Sequence, residues 1–160
     1  MLRRDLAQAI LDAIQAGTPA FFQRIVVDVL VAMGYGGDVR NAGRVLGRSG
    51  DGGIDGLIQE DKLGLDTVYI QAKRWAAVVG RPVVQAFAGS LDGVRSRRGV
   101  LITTSTFSSE AEEYASRIEK RIVLIDGERL ADLMIDHGVG VTDRQVYVVK
   151  RFDSDYFVEE

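Results

Sequence analysis

The sequence predicts an α/β fold, a three-layer sandwich in which helices flank a central mixed β-sheet. Short apolar runs of strand length alternate with segments of helical periodicity, which favours parallel strands covered on both faces. Two β-prone runs around a short polar turn add an antiparallel hairpin. The 160 residues, 46% hydrophobic and 27% charged, have the size and composition of one globular domain.

A first helix is expected at the start of the chain. Apolar residues from Leu2 to Ile14 recur near helical spacing, and the pattern stops at Gly17. The opening segment is amphipathic and lacks a signal-peptide core. Residues 1–17 are therefore expected to form an N-terminal helix or a linker.

A second helix follows directly. Thr18 has the character of an N-cap and Pro19 that of a first helical residue, and apolar residues then recur at three-and-four spacing up to Gly34. Residues 35–53 are rich in glycine, and the run VRNAGRVL within them is compatible with either a strand or a helix. The secondary structure of this segment is left open.

The antiparallel hairpin is expected from the runs IDGLIQE and TVYIQAK, because the charged and glycine residues of DKLGLD between them suit a turn. The next helix is expected to begin near Pro82, since apolar residues then lie on one helical face as far as Leu91.

A strand, helix, strand unit follows the basic loop that ends this helix. GVLITT and RIVLI are apolar runs of strand length, and Ser109 with Glu112 between them matches a capping box. Asp126 is expected to cap the last core helix. The run QVYVVKRF is expected to add a late edge strand, so that residues 141–160 form a C-terminal strand and tail.

Composition excludes several kinds of site. The chain has no cysteine and only His137, which rules out thiolate sites and clustered-histidine zinc sites, so any metal must have oxygen ligands, as a hard cation such as Mg²⁺ prefers. No apolar run is long enough to cross a bilayer, and a cytoplasmic location is expected. The net charge of −3 argues against DNA binding by bulk charge. Basic residues nevertheless cluster locally, at Arg40, Arg44, Arg48, Lys73, Arg74 and Arg81.

Chemistry-bearing residues lie on the two hairpin strands. If Asp55 begins the first strand, then Gln71 and Lys73, two residues apart on the second, share one face and can converge with it. A carboxylate to hold Mg²⁺, an oxygen ligand beside it and a cation near the attacked phosphate are the groups that phosphodiester hydrolysis requires.

These motifs resemble a known family. An acid on one strand and x-x-K on the next are similar to the PD-(D/E)xK nuclease core, and GDGGIDG with QAKRW resembles its Mrr branch of restriction endonucleases, in which glutamine replaces the usual second acid. The likeness extends through PAFFQRIVVDVLVAMGYGG, QAFAG, GVLITTSTFS and RIVLIDGERLADLM. It implies a restriction-endonuclease-like fold, with residues 18–140 as the catalytic domain.

The resemblance implies a metal-dependent site. Asp55 and Gln71 would bind Mg²⁺, for which Mn²⁺ can substitute, and Lys73 would stabilise the charge that develops on the phosphate. An ordinary lysine is protonated at neutral pH, which suits that role better than the role of a base. Four further residues are candidates for contacting DNA or supporting the metal ligands: Asp51, Gln85, Arg74 and Gln23. Hydroxyls after the GVLIT strand, from Thr103 to Thr106, are weaker candidates for binding phosphate.

The function implied is that of a deoxyribonuclease of a restriction system that cuts foreign or modified double-stranded DNA. It is expected to work as a homodimer, since two sites related by a two-fold axis suit two strands. The DNA-reading domain that such proteins carry is expected to lie outside this chain, in a separate domain or subunit. The alternatives are a catalytically weak or inactive DNA-binding or assembly module, which the neutral Gln71 and Gln23 favour, and a repair or junction nuclease on the same fold.

Overall fold

The computed structural model describes residues 2–36, 44–45, 56–60, 63 and 65–159. Within them lie five helices and five strands. In chain order these are α1 (Arg3–Ala16), α2 (Pro19–Ala32), β1 (Arg44–Val45), β2 (Gly56–Gln59), β3 (Thr67–Lys73), α3 (Arg81–Gly93), β4 (Arg98–Thr103), α4 (Ser109–Arg117), β5 (Arg121–Ile125) and α5 (Gly127–Asp136). None of the described helices is both long enough and apolar enough to span a bilayer.

One mixed sheet with the order β1-β2-β3-β4-β5 organises the domain. The pairs β1–β2 and β2–β3 are antiparallel, and β3–β4 and β4–β5 are parallel. In the parallel register Lys73 lies opposite Thr103, and in the antiparallel hairpin Gly56 lies opposite Ile70. The predicted hairpin and the parallel unit are both confirmed.

Helices cover both faces of this sheet, which confirms the three-layer architecture. The first core cluster joins α1, α2 and α5 to one face, with fully buried members that include Phe22, Val26, Val29, Ile58, Ile102 and Leu130. The second core cluster joins α3 and α4 to the other face, with members Val84, Phe87, Ala88, Leu91, Leu101, Ala111 and Ile122.

The sheet alternation assigns each side chain of β3 to a layer. Val68 and Ile70 belong to the first core cluster, whereas Tyr69 packs against the second. Because successive side chains of a strand point to opposite faces, Gln71 and Lys73 share the face of Tyr69, beneath α3 and α4. The prediction that these two polar residues share a face is thus confirmed.

Helix α1 packs onto the domain. Ile10 and Ile14 are buried in the first core cluster. At its start, the Arg3 guanidinium lies 2.7 Å from Asp136 and 3.4 Å from Asp132 of α5. The hydrogen bond to Asp136 is the main cause that raises the pKa of Arg3.

Two expected features differ in the structure. The N-cap of α4 is Ser108, whose side chain accepts a hydrogen bond from the Ala111 amide, and the predicted cap Ser109 is already helical. Adjacent serines offer equivalent oxygens, and backbone geometry selects between them. The strand expected in residues 145–152 is not formed; this run lies exposed, outside any helix or strand. A β-prone run becomes a strand only where a neighbouring strand supplies its hydrogen bonds.

Candidate functional site

Gln71 and Lys73 form the described part of the candidate site. Gln71 is only 5% exposed, and its side-chain oxygen Oε1 is buried without accepting a hydrogen bond from any described residue. Lys73 is half-buried, and its Nζ lies 5.1 Å from the centre of the Trp75 ring, in cation–π contact. A buried oxygen acceptor and a cation thus stand side by side at the end of β3.

The predicted acid Asp55 lies outside the described residues, as does Asp51. Asp55 directly precedes Gly56, the first residue of β2, and Gly56 pairs with Ile70 beside Gln71. The convergence of Asp55 with Gln71 stays a prediction.

Hydroxyls that follow β4 fix the backbone at the end of β3. The Thr103 hydroxyl donates to the Lys73 carbonyl over 2.8 Å, and the Thr104 amide approaches the same carbonyl at 3.3 Å. The Thr104 hydroxyl donates to the Trp75 carbonyl over 2.9 Å. Both threonines are buried. They hold the strand end instead of facing a phosphate, so the structure does not support the phosphate-binding alternative for this pair.

Gln15 of α1 completes this arrangement. Its side-chain amide donates to the Thr104 hydroxyl over 2.7 Å and to the Trp75 carbonyl over 3.1 Å. In return, the Arg74 guanidinium donates to the Gln15 carbonyl over 2.8 Å, near the end of α1, where a cation is favourable. We call Gln15, Thr103 and Thr104 the strand-end clamp.

The remaining candidates are spread over both layers. Gln85 is exposed on the first turns of α3, in the layer that covers Gln71 and Lys73. Gln23 is half-buried on α2, in the opposite layer, and no hydrogen bond among the described residues links it to either strand residue. Arg74 is directed to α1. The structure therefore brings Gln71 and Lys73 to one face of β3, while the role of Gln23 stays a prediction.

The described residues offer no ready-made carboxylate site. Among them, no group of three His, Asp or Glu side chains is placed to hold a metal ion. A metal at the end of β3 would need Gln71 Oε1 together with an acid from the segment before β2. Asp55 is the candidate for that acid.

Sequence reasoning missed the strand-end clamp. Gln15 belongs to a segment interpreted as a helix or linker, and the polar run TTST after a buried strand suggested phosphate contacts. A signal was present in the sequence, since two threonines at the end of a fully apolar strand are expected to be buried, and buried hydroxyls need backbone partners.

Comparison with known proteins identifies the family. A restriction endonuclease family model, that of the Mrr catalytic domain, matches residues 14–134. The chain is 51% identical over 156 residues to the type IV methyl-directed restriction enzyme EcoKMrr of Escherichia coli (strain K12). That match covers 98% of this chain and 50% of EcoKMrr, so the chain spans about half the length of its curated relative.

Solved structures agree on the fold. The DNA modification-dependent restriction endonuclease AspBHI superimposes with a TM-score of 0.66 at 20% identity, over 84% of this chain and 36% of AspBHI. The MspJI restriction endonuclease, solved with a 27-mer oligonucleotide, superimposes with a TM-score of 0.50 at 24% identity, over 82% of this chain and 31% of MspJI. The chain thus has a restriction-endonuclease fold, and it belongs to the family of restriction endonucleases with an Mrr-type catalytic domain.

Proposed function

We propose that this chain is a metal-dependent deoxyribonuclease domain that hydrolyses phosphodiester bonds of double-stranded DNA, with Asp55, Gln71 and Lys73 as its catalytic residues. The observation that carries the proposal is the buried Gln71 Oε1, which has no hydrogen-bond donor among the described residues. A buried acceptor without a partner is costly, so its presence calls for a functional reason.

A divalent metal fits this oxygen. Mg²⁺ and Mn²⁺ take oxygen ligands from amides and carboxylates, and Gln71 supplies an amide oxygen on β3, a strand that pairs with a neighbour on each side. The Asp55 carboxylate, one residue before β2, would supply the charge that a neutral amide lacks. When bound, the ion would polarise the phosphate and lower the pKa of water.

Lys73 has the position and charge to stabilise the reaction. In hydrolysis a water oxygen bonds to phosphorus while one phosphorus–oxygen ester bond breaks, leaving a phosphate on one DNA end and a hydroxyl on the other. Negative charge builds on the phosphate oxygens, and a held cation stabilises it. The Trp75 ring and the clamped Lys73 carbonyl hold this side chain and its backbone in place.

The substrate we propose is modified or foreign DNA. EcoKMrr is named methyl-directed and AspBHI modification-dependent, and both are longer than the segment matched here. We therefore assign cleavage to this chain and assign reading of the modification to another domain or subunit. We further propose a homodimer acting in the cytoplasm, where two sites cut the two strands.

Metal binding tests the site before cleavage is considered. Titration of Mn²⁺ into the wild-type chain, followed by calorimetry or by the Mn²⁺ electron paramagnetic resonance signal, is expected to show binding that Asp55→Ala abolishes and Gln71→Leu weakens. Gln8→Leu, at an exposed glutamine of α1, serves as the matched control and is expected to bind like wild type. Equal binding by wild type and Asp55→Ala would contradict the proposed ligand set.

A second candidate is a DNA-binding or assembly module without activity. The neutral Gln71 and Gln23 and the net charge of −3 favour it. Under this alternative, the chain would bind DNA but would not cut it in Mg²⁺ or Mn²⁺. A repair or junction nuclease would instead prefer branched to linear DNA of the same sequence.

A further inference from the structure

The C-terminal segment, residues 141–159, stands off the domain. Val141 at its root packs against the first core cluster, but the segment beyond it is exposed. Its large apolar side chains are 64–94% exposed: Val146, Tyr147, Val148, Val149, Phe152, Tyr156, Phe157 and Val158. This many exposed large apolar side chains in one segment of a small domain indicate an interaction site.

The end of this segment has a shape of its own. The rings of Phe152 and Phe157 stack at 5.0 Å, and Tyr156 meets Phe157 edge to face at 5.1 Å. Asp153 and Asp155 lie between these aromatics and are exposed. We call residues 152–157 the acidic aromatic knot.

An apolar groove of complementary character lies on the domain. It encloses about 350 Å³ on the sheet face of the first core cluster, beside β4 and β5. Met33, Val100 and Val123 are among its apolar lining residues, and Val123 is 47% exposed. Of the described elements, helices α2 and α5 flank the groove, and none covers this part of the sheet.

Arginines line the groove. Arg98 already pairs with Glu60, also a lining residue, whereas no ion pair within the described residues engages Arg121 or Arg129. Both of these side chains are exposed. The groove therefore offers an apolar floor and two cations, which are the counterparts of the rings and carboxylates of the knot.

We propose that the acidic aromatic knot of one copy docks in the arginine-lined groove of a second copy. The rings fill the apolar floor, and Asp153 and Asp155 approach Arg121 and Arg129. The knot in the structure is not packed on its own domain, which leaves it available to another. A two-fold axis makes the exchange reciprocal, with two knots in two grooves. This docking would form the interface of the homodimer proposed above. It can be tested without measuring DNA cleavage.

Charge reversal on each side tests the docking. Arg121→Glu with Arg129→Glu makes the groove acidic, and Asp153→Arg with Asp155→Arg makes the knot basic. Sedimentation velocity on the full chain is expected to show a wild-type dimer and two monomeric variants. An equimolar mixture of the two variants is expected to restore the dimer, because each knot then meets a groove of opposite charge. All four positions are exposed, and matching thermal unfolding confirms that the variants are folded.

The control reverses two exposed arginines that do not line the groove, by Arg4→Glu with Arg95→Glu, and is expected to remain dimeric. A monomeric wild type, or charge-reversed variants that still dimerise, would overturn the proposal. Two monomeric variants whose mixture stays monomeric would overturn it as well, because knot and groove then carry opposite charges across the pair and docking should occur. Plasmid cleavage enters none of these outcomes, so loss of nuclease function cannot be mistaken for loss of docking.

Discussion

Gln15 and Thr104 are 89 positions apart in the chain, yet the Gln15 side-chain amide donates to the Thr104 hydroxyl over 2.7 Å. The same two side chains both bond the Trp75 carbonyl, two residues after Lys73. The first helix of the domain is thereby joined to the end of the strand that carries the candidate site. The exact position of the end of β3 is therefore expected to depend on residues that do not contact DNA.

Loss of the strand-end clamp is expected to lower turnover more than substrate affinity. Thr104→Val keeps the volume but removes the hydroxyl, leaving the partly buried Gln15 amide and the Trp75 carbonyl each short of a bond, at a cost of about 1–3 kcal/mol. Cleavage kinetics should show a lower kcat at nearly unchanged KM, with Thr104→Ser restoring it. Exposed Thr106→Val is the control. Were Thr104→Ser no better than Thr104→Val, the hydroxyl would have no positioning role.

The first helix can be tested in the same way. Gln15→Ala is expected to slow cleavage, because it removes both bonds to the strand end, whereas Gln8→Ala on the same helix removes only an exposed bond to Asp12. The kcat values of Gln15→Ala and Gln8→Ala, measured under the same conditions, test this prediction. Equal activity of the two variants would show that α1 does not position the site.

Gly127 permits a close approach that the clamp needs. A Cβ there would lie 2.3 Å from the Thr104 carbonyl oxygen, so Gly127→Ala must displace either α5 or the backbone after β4. We expect a loss of about 1–3 kcal/mol in the free energy of unfolding, measured by urea denaturation. Gly89→Ala within α3 is the control. Nothing lies within 4 Å of its added Cβ, and it is expected to stabilise by about 0.5–1 kcal/mol.

Gln71 is expected to trade stability for function. Gln71→Leu replaces a buried oxygen that no described residue partners with apolar atoms of similar shape, so the metal-free protein should gain up to about 1–3 kcal/mol in unfolding free energy while cleavage falls. Urea denaturation in a chelator, beside a cleavage assay, measures both. A variant that is less stable and equally active would show that Gln71 is a structural residue.

A carboxylate at position 71 should raise the affinity for the metal. Gln71→Glu gives the proposed site a second negative ligand, and ligand charge tunes the affinity for hard cations. The Mg²⁺ concentration for half-maximal cleavage is expected to fall relative to wild type. An unchanged or higher concentration would remove Gln71 from the ligand set.

The sheet was predictable because its signals are local. Apolar runs such as RIVLI, and the turn between the hairpin strands, are recognisable from a few neighbouring residues. The alternation of side chains along a strand was enough to predict that Gln71 and Lys73 share one face. Partners distant in sequence were not predictable. Gln15 meets Thr104 only because α1 packs across the first core cluster, and no spacing in the sequence announces that contact.

In the C-terminal run, residues 145–152, a local signal predicted a strand that does not form. Its β-prone residues predicted a strand, but strand propensity forms no strand unless a neighbouring strand pairs with the run, and this run lies exposed. Arg74, a candidate for contacting DNA, donates from its guanidinium to the Gln15 carbonyl, a contact that its place in the sequence did not indicate. Residue type predicted the chemistry available at these positions, and tertiary packing decided how it is used.

Plasmid cleavage tests the central claim most directly. Supercoiled DNA, methylated and unmethylated, is incubated with the chain in Mg²⁺ or Mn²⁺, with a chelator as blank. The account predicts metal-dependent nicking or cutting by wild type, no detectable cleavage by Asp55→Ala, and a loss of about 10²–10³-fold in Lys73→Ala, the effect of removing one charge-stabilising group. Cleavage by Asp55→Ala at the wild-type rate, or none by wild type in either metal, would contradict it.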